Sequence, residues 1–198
     1  MFSYVADGFF RRSTSDTYNG GLHKTIQLNM LDDKFPDLFK LFVYEHTSSF
    51  LRFLPENNAV ANRISDADVL NICTAFEIAF GLDETEDKEK TVNDMQVPEF
   101  KKSMFSRKIL FLYQKATNDA SESSMQKAIE MIAAFVKLRN DITHTGKWEW
   151  GKCGEFSIIL VKVLYVSILL RAGVAKETAI KVAERKWGLL KIMDNSNS

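Results

Sequence analysis

The segment SSMQKAIEMIAAFVKLRNDITHTG, residues 123–146, changes character along its length, and that change decides how the chain is read. Ser123 and Gln126 stand three apart, the spacing of a capping box, so a helix is expected from Ser124 to about Ile142, with Gly146 as its stop. Ala128, Ile129, Met131, Ile132, Ala133, Ala134, Phe135, Val136 and Leu138 leave its middle with almost no solvent face. Such a helix packs on two sides, either between a bundle core and a second subunit or at the centre of one chain. At its end the apolar run gives way to Arg139, Asn140, Asp141, Thr143 and His144, a group of polar side chains at the mouth of an apolar helix.

Working outward, helical spacing dominates. Before the segment, Phe35, Leu38, Phe39, Phe42, Phe50 and Phe53 recur at three- and four-residue steps up to Pro55, which predicts a long amphipathic helix. Ser65, followed by Asp66 and Asp68, predicts the start of a second helix through Val69, Ile72, Cys73, Phe76 and Phe80 to a stop at Gly81. The charged run Asp83 to Lys90 reads as a solvated loop. A third helix is expected from about Pro98 to Lys115, with Phe100, Met104, Leu110 and Phe111 inside. Its polar side carries Lys101, Lys102, Arg107 and Lys108, either a solvated face or a hold on an RNA backbone. After the segment, Trp148 and Trp150 either cover the bundle end or stack on bases. An apolar helix from Phe156 to Arg171 and an amphipathic one from Ala175 to Leu190 complete the chain, separated at Gly173. Only the beginning differs: Ile26, Leu28 and Met30 alternate with polar neighbours after Asn19-Gly20-Gly21, as in one short strand. The expectation is an all-α chain, with an extension over residues 1–56 (short strand plus amphipathic helix) and a helical bundle over 57–198.

Composition narrows the function classes. Among 198 residues, 26 Lys plus Arg balance 26 Asp plus Glu, so any contact with nucleic acid must be local rather than driven by net charge. Cys73 and Cys153 are far apart with no neighbouring Cys or His, which points to reduced thiols, no metal site, and a cytoplasmic setting. His23 and His46 have no second ligand at metal spacing. Phe156 to Leu170 is about 15 residues and includes Lys162, short of the roughly 20 that cross a bilayer. Neither a membrane span nor a signal peptide is expected.

The chemistry lies in Lys137 to Gly146. On a helix Asn140 and His144 share a face, and Arg139 lies about 100° round from Asn140, so the three can converge on one small ligand. An arginine fork matches phosphate oxygens, and an imidazole gives or takes a proton near neutral pH. Those are two requirements of RNA scission by 2′-OH attack, which needs no cofactor. One chain brings a single histidine to this site, whereas scission uses both an acid and a base, so a two-fold dimer completes the set. His144 also suits a plain role at a helix C-terminus, where the dipole favours a cation. Glu77, beside Phe76, either orients Arg139 or is an ordinary surface carboxylate.

Arg139-Asn140-x3-His144, at the end of a late bundle helix, resembles the RNxxxH form of the Arg-x4-6-His motif of HEPN domains. The resemblance covers about residues 60 to 195 and is nearest to the Apea-like HEPN group, with Phe76-Glu77 placed like that group's apolar-acidic step. It implies an antiparallel four-helix bundle with extra helices, commonly dimeric, whose active members are metal-independent endoribonucleases of antiphage or toxin systems. It further implies Arg139 and His144 as the catalytic pair and Asn140 as their support; beside them, Asp141 and Glu77 are expected as further supporting residues and Lys137 and Lys147 as RNA contacts. Thr145-Gly146 stand where toxins controlled by a nucleotidyltransferase have x-Tyr after the histidine, so control through that tyrosine is not expected. The short N-terminal region implies a separate antitoxin or sensor partner. A HEPN-like module that dimerises or binds nucleotides without cutting is the competing reading, and a helical scaffold with no site is a third.

Overall fold

A computed structural model of the chain describes residues 31–43, 65–118, 121–146 and 153–187, and all regular structure among them is helical. In chain order come a 3-10 turn at Asp32–Lys34, α1 (Phe35–Val43), α2 (Asp66–Leu82), α3 (Lys88–Asp94), a 3-10 turn at Pro98–Phe100, α4 (Met104–Ala116), α5 (Glu122–His144), α6 (Cys153–Arg171) and α7 (Lys176–Trp187). The expected strand at Ile26–Met30, the far half of the phenylalanine-rich helix, and His23, His46, Lys147, Trp148 and Trp150 lie outside the described residues.

Ser65 opens α2 as expected. Its hydroxyl accepts from the Asp68 N–H at 3.2 Å, while the Asp68 carboxylate accepts from the Ser65 N–H at 2.8 Å, a reciprocal cap that satisfies two otherwise orphaned donors. The other end departs from expectation. Gly81 lies inside the helix rather than ending it, and Asp83 follows in an extended conformation. What stops the helix is a cation: Lys88 donates to the carbonyls of Phe80 (2.7 Å), Gly81 (2.9 Å) and Asp83, covering groups that have no further turn to accept from. Lys88 also begins α3, so the last residues of the charged run read as a loop open a short helix, whose Val92 is fully buried.

The third expected helix is broken in two. Lys101 takes a positive φ of 50°, and Ser103 then caps α4 afresh, its hydroxyl accepting from the N–H (3.2 Å) and hydroxyl (2.8 Å) of Ser106. Helix α5 starts two residues earlier than expected, because Ser121 rather than Ser123 is the cap, accepting from the Ser124 N–H. Its C-terminus is closed as expected: Gly146, at φ 64°, turns its N–H back to the Asp141 carbonyl. Nor does its middle lack a solvent face. Gln126, Glu130, Ala134 and Lys137 form an exposed stripe at three- and four-residue steps, with Ala128, Ile132, Phe135, Val136 and Leu138 buried and Ile129, Met131 and Ala133 half-buried along the flanks.

Helices α2, α4, α5 and α6 each contact the other three, α7 packs along α6, and α3 lies against α4. Helix α6 runs through the middle of this group, and Phe156, Leu160, Val163, Leu164 and Val166 are buried around its circumference. None of the described helices is long and apolar enough to cross a membrane. Leu31, Leu38 and Leu41 join the same apolar core, so the beginning of α1 is packed with the bundle. Lys162 is buried within α6, and burial holds its ammonium below the usual lysine range, partly opposed by the charge of Glu184.

Candidate functional site

Two helices approach at one end of the group. On α2, Leu70, Cys73, Thr74 and Glu77 recur at three- and four-residue steps and share a face. On α5, Val136, Arg139 and Asn140 do the same. With Ser103 and Phe105 at the start of α4, these side chains line a groove of about 300 Å³. Arg139 and Glu77 come from opposite walls.

The arginine is held in place. Its guanidinium donates to the Asn140 side-chain oxygen at 3.0 Å, which uses one donor and leaves the rest of the fork for a ligand. Beneath it the backbone is closed off. The Thr143 hydroxyl donates to the carbonyls of Arg139 (3.0 Å) and Asn140 (3.1 Å), and the Thr145 hydroxyl to that of Asp141 (2.8 Å), so side chains of the last turn cover the carbonyls beneath the motif. Across the groove, the Glu77 carboxylate accepts from Lys108 at 2.7 Å, and the Lys108 ammonium lies 5.2 Å from the centre of the Phe80 ring. Cys73 forms part of the floor. Burial pushes its thiol up to about 12, against the nearby charge of Arg139 and with a further push from Glu77.

The expected site residues therefore divide. Arg139, Asn140 and Glu77 line one groove, whereas His144 is exposed one turn further along α5 and is not part of its lining. No hydrogen bond to the His144 ring is found among the described residues. Asp141 pairs with Lys137 along the helix, which places both beside the motif rather than in the groove. Of the cationic face expected on α4, Arg107 is committed to the fold, donating to the carbonyls of Asn93 (3.3 Å) and Lys101 (3.2 Å), and Lys108 to Glu77. Lys101 and Lys102 remain exposed, directly before the Ser103 that lines the groove. Among the described residues, no three His, Cys, Asp or Glu side chains come together as metal ligands do.

Thr74, Ser103 and Phe105 were not singled out from the sequence, and Cys73 only as a helix position and a reduced thiol. Once Glu77 is chosen, helical spacing leads to Thr74, Cys73 and Leu70; nothing local leads to Ser103 or Phe105. Compared with family models, with curated proteins and with solved structures, the chain matches none.

Proposed function

We propose that this chain is a HEPN-type antiparallel helical bundle that acts as a metal-independent endoribonuclease, cutting RNA by 2′-OH attack as a homodimer. The observation that carries the reading is the meeting of Glu77 with Arg139 and Asn140 on one groove, since it joins the early acidic step to the late Arg-Asn-x3-His motif, far apart in sequence.

Arg139, steadied by Asn140, holds the non-bridging oxygens of the scissile phosphate and stabilises the charge that builds there in the transition state. His144 stands exposed at the end of the same helix. One copy of it takes the proton of the 2′-OH as the oxygen attacks phosphorus, and His144 of a second copy gives a proton to the departing 5′-oxygen. The products are a 2′,3′-cyclic phosphate and a 5′-hydroxyl. Lys137, its position set by Asp141, is a contact to the RNA backbone, and Lys147, next in sequence after Gly146, is a second. The dimer rests on this need for both an acid and a base. Cytoplasmic RNA in an antiphage or toxin setting is the corresponding substrate, with an antitoxin or sensor as the controlling partner.

The position of His144 outside the groove favours a second reading, in which the groove binds a nucleotide or RNA and the module dimerises without cutting. The two separate cleanly. Purified protein is incubated with total RNA in excess EDTA, beside Arg139→Ala and His144→Ala variants of matched fold and oligomeric state. Cleavage by the parent that leaves cyclic phosphate ends and falls by at least about a hundredfold in both variants is the expected outcome. Binding without cleavage by the parent and by His144→Ala, weakened in Arg139→Ala, would give the second reading the field.

A further inference from the structure

The groove itself has more chemistry than phosphate binding requires. Its walls are of two kinds: Leu70, Val136 and the half-exposed Phe105 are apolar, while Arg139, Asn140, Glu77, Thr74 and Ser103 bring polar groups to the same space. A volume of about 300 Å³ is at the small end of ligand pockets, too small for a helical duplex and of the right order for one nucleotide. The polar groups are also sorted. The cation lies on α5, and the carboxylate, which a phosphate avoids, lies on α2. Ser103 already accepts two hydrogen bonds from Ser106, so both lone pairs of its hydroxyl are used and its own proton is left to donate. Lys101 and Lys102, exposed, precede it directly in the chain.

We infer that this groove holds one unpaired nucleotide of a single-stranded RNA, its phosphate on Arg139 and Asn140, its base against the Phe105 ring and the amino edge of that base on Glu77. The inference rests on the ribonuclease reading only for the identity of the polymer; the pocket stands on its own lining. Single strands are recognised in this manner because an unstacked base offers a face to an aromatic ring and an edge to polar side chains, neither of which a duplex presents. Glu77 offers only acceptors, so a base whose pairing edge has an amino group fits better than uracil, whose single N–H on that edge stands between two carbonyl oxygens that the carboxylate repels.

The test measures binding apart from cutting. Short fluorescent strands with 2′-O-methyl sugars lack the attacking hydroxyl and remain intact, so their anisotropy in EDTA reports affinity alone. Oligocytidylate is expected to bind more tightly than oligouridylate, and a mixed strand at least about tenfold more tightly than the same strand in duplex. Phe105→Leu, which keeps the apolar packing, is expected to weaken single-strand binding about tenfold, and Phe105→Tyr to retain it. Because Phe105 packs partly on the core, the exposed Glu77→Gln serves as the second variant; it is expected to abolish the preference for cytidylate while leaving the fold intact. Equal affinity for strand and duplex, no effect of Phe105→Leu, or no binding by the parent overturns the pocket. A parent that binds in the expected way yet leaves natural RNA uncut keeps the pocket and removes the ribonuclease. A parent that cuts through Arg139 and His144 while binding without regard to Phe105 does the reverse.

Discussion

Cys73 shows how one residue takes its chemistry from its neighbours. A free thiol near its ordinary value is a few per cent thiolate at neutral pH, whereas this one, pushed up to about 12 by burial, is only about one part in ten thousand ionised at pH 8. Its place in the floor of the groove is therefore a packing role rather than a nucleophilic one. Alkylation of the native protein at pH 8, read by peptide mass mapping, is expected to leave Cys73 unmodified until denaturant is added. Rapid labelling of Cys73 in the folded protein would show that the floor is open and the thiol active. Arg139 is the counterpart: its spacing from His144 is legible along the sequence, but its grip on Asn140 and its position opposite Glu77 are properties of packed helices.

Among the elements, the α2 end bears most directly on the groove, because α2 supplies one wall. Asp83 follows that end nearly buried and accepts from Lys115 of α4 and from the Thr85 N–H, so a charge-assisted contact ties the two helices together. Burial alone raises the Asp83 carboxyl, but the hydrogen bonds from Lys115 and Thr85 and the charge of Lys115 outweigh it and hold the group below the usual carboxylate value. The folded state then binds the proton less readily than the unfolded one. The contribution is present in full above the unfolded value, near pH 4, and is lost as pH falls through the lower folded value. Asp83→Asn is expected to cost about 1–3 kcal/mol at pH 7 in urea unfolding, with the gap from the parent closing below about pH 4. A gap that stays constant down to pH 2 would mean that the ion pair contributes nothing.

For the molecule as a whole, the cost of a charge in the centre is the clearest physical question. Lys162 lies in α6, the helix that touches all the other long helices, and burial lowers its ammonium's affinity for a proton. Between the lowered folded value and the unfolded one, the unfolded chain binds more protons, so stability rises with pH through that window. Lys162→Met keeps the length and apolar stem while removing the charge, and Glu184 on α7, half-exposed, is left where water can reach it. The variant is expected to be more stable by about 1 kcal/mol at pH 7, a rise of roughly 2–4 °C in Tm by calorimetry, and to lose the alkaline gain of the parent. A lower Tm would show that the lysine is held by contacts worth more than its desolvation.

The sequence by itself determined the helical class, most helix positions and the three residues of the motif, because caps, apolar periodicity and i, i+4 spacing act within a few turns of chain. It misplaced what depends on longer-range partners. Lys88 ends α2 by reaching back to its carbonyls, the end of a charged run opens α3 because Val92 finds a core to bury in, and α5 has a polar stripe because its neighbours cover only part of its circumference. The groove is the sharpest case. Only tertiary packing brings Glu77, Ser103 and Phe105 to Arg139, and leaves His144 beyond the rim, since contact across separate helices is set by the crossing of their faces and not by any spacing along one of them.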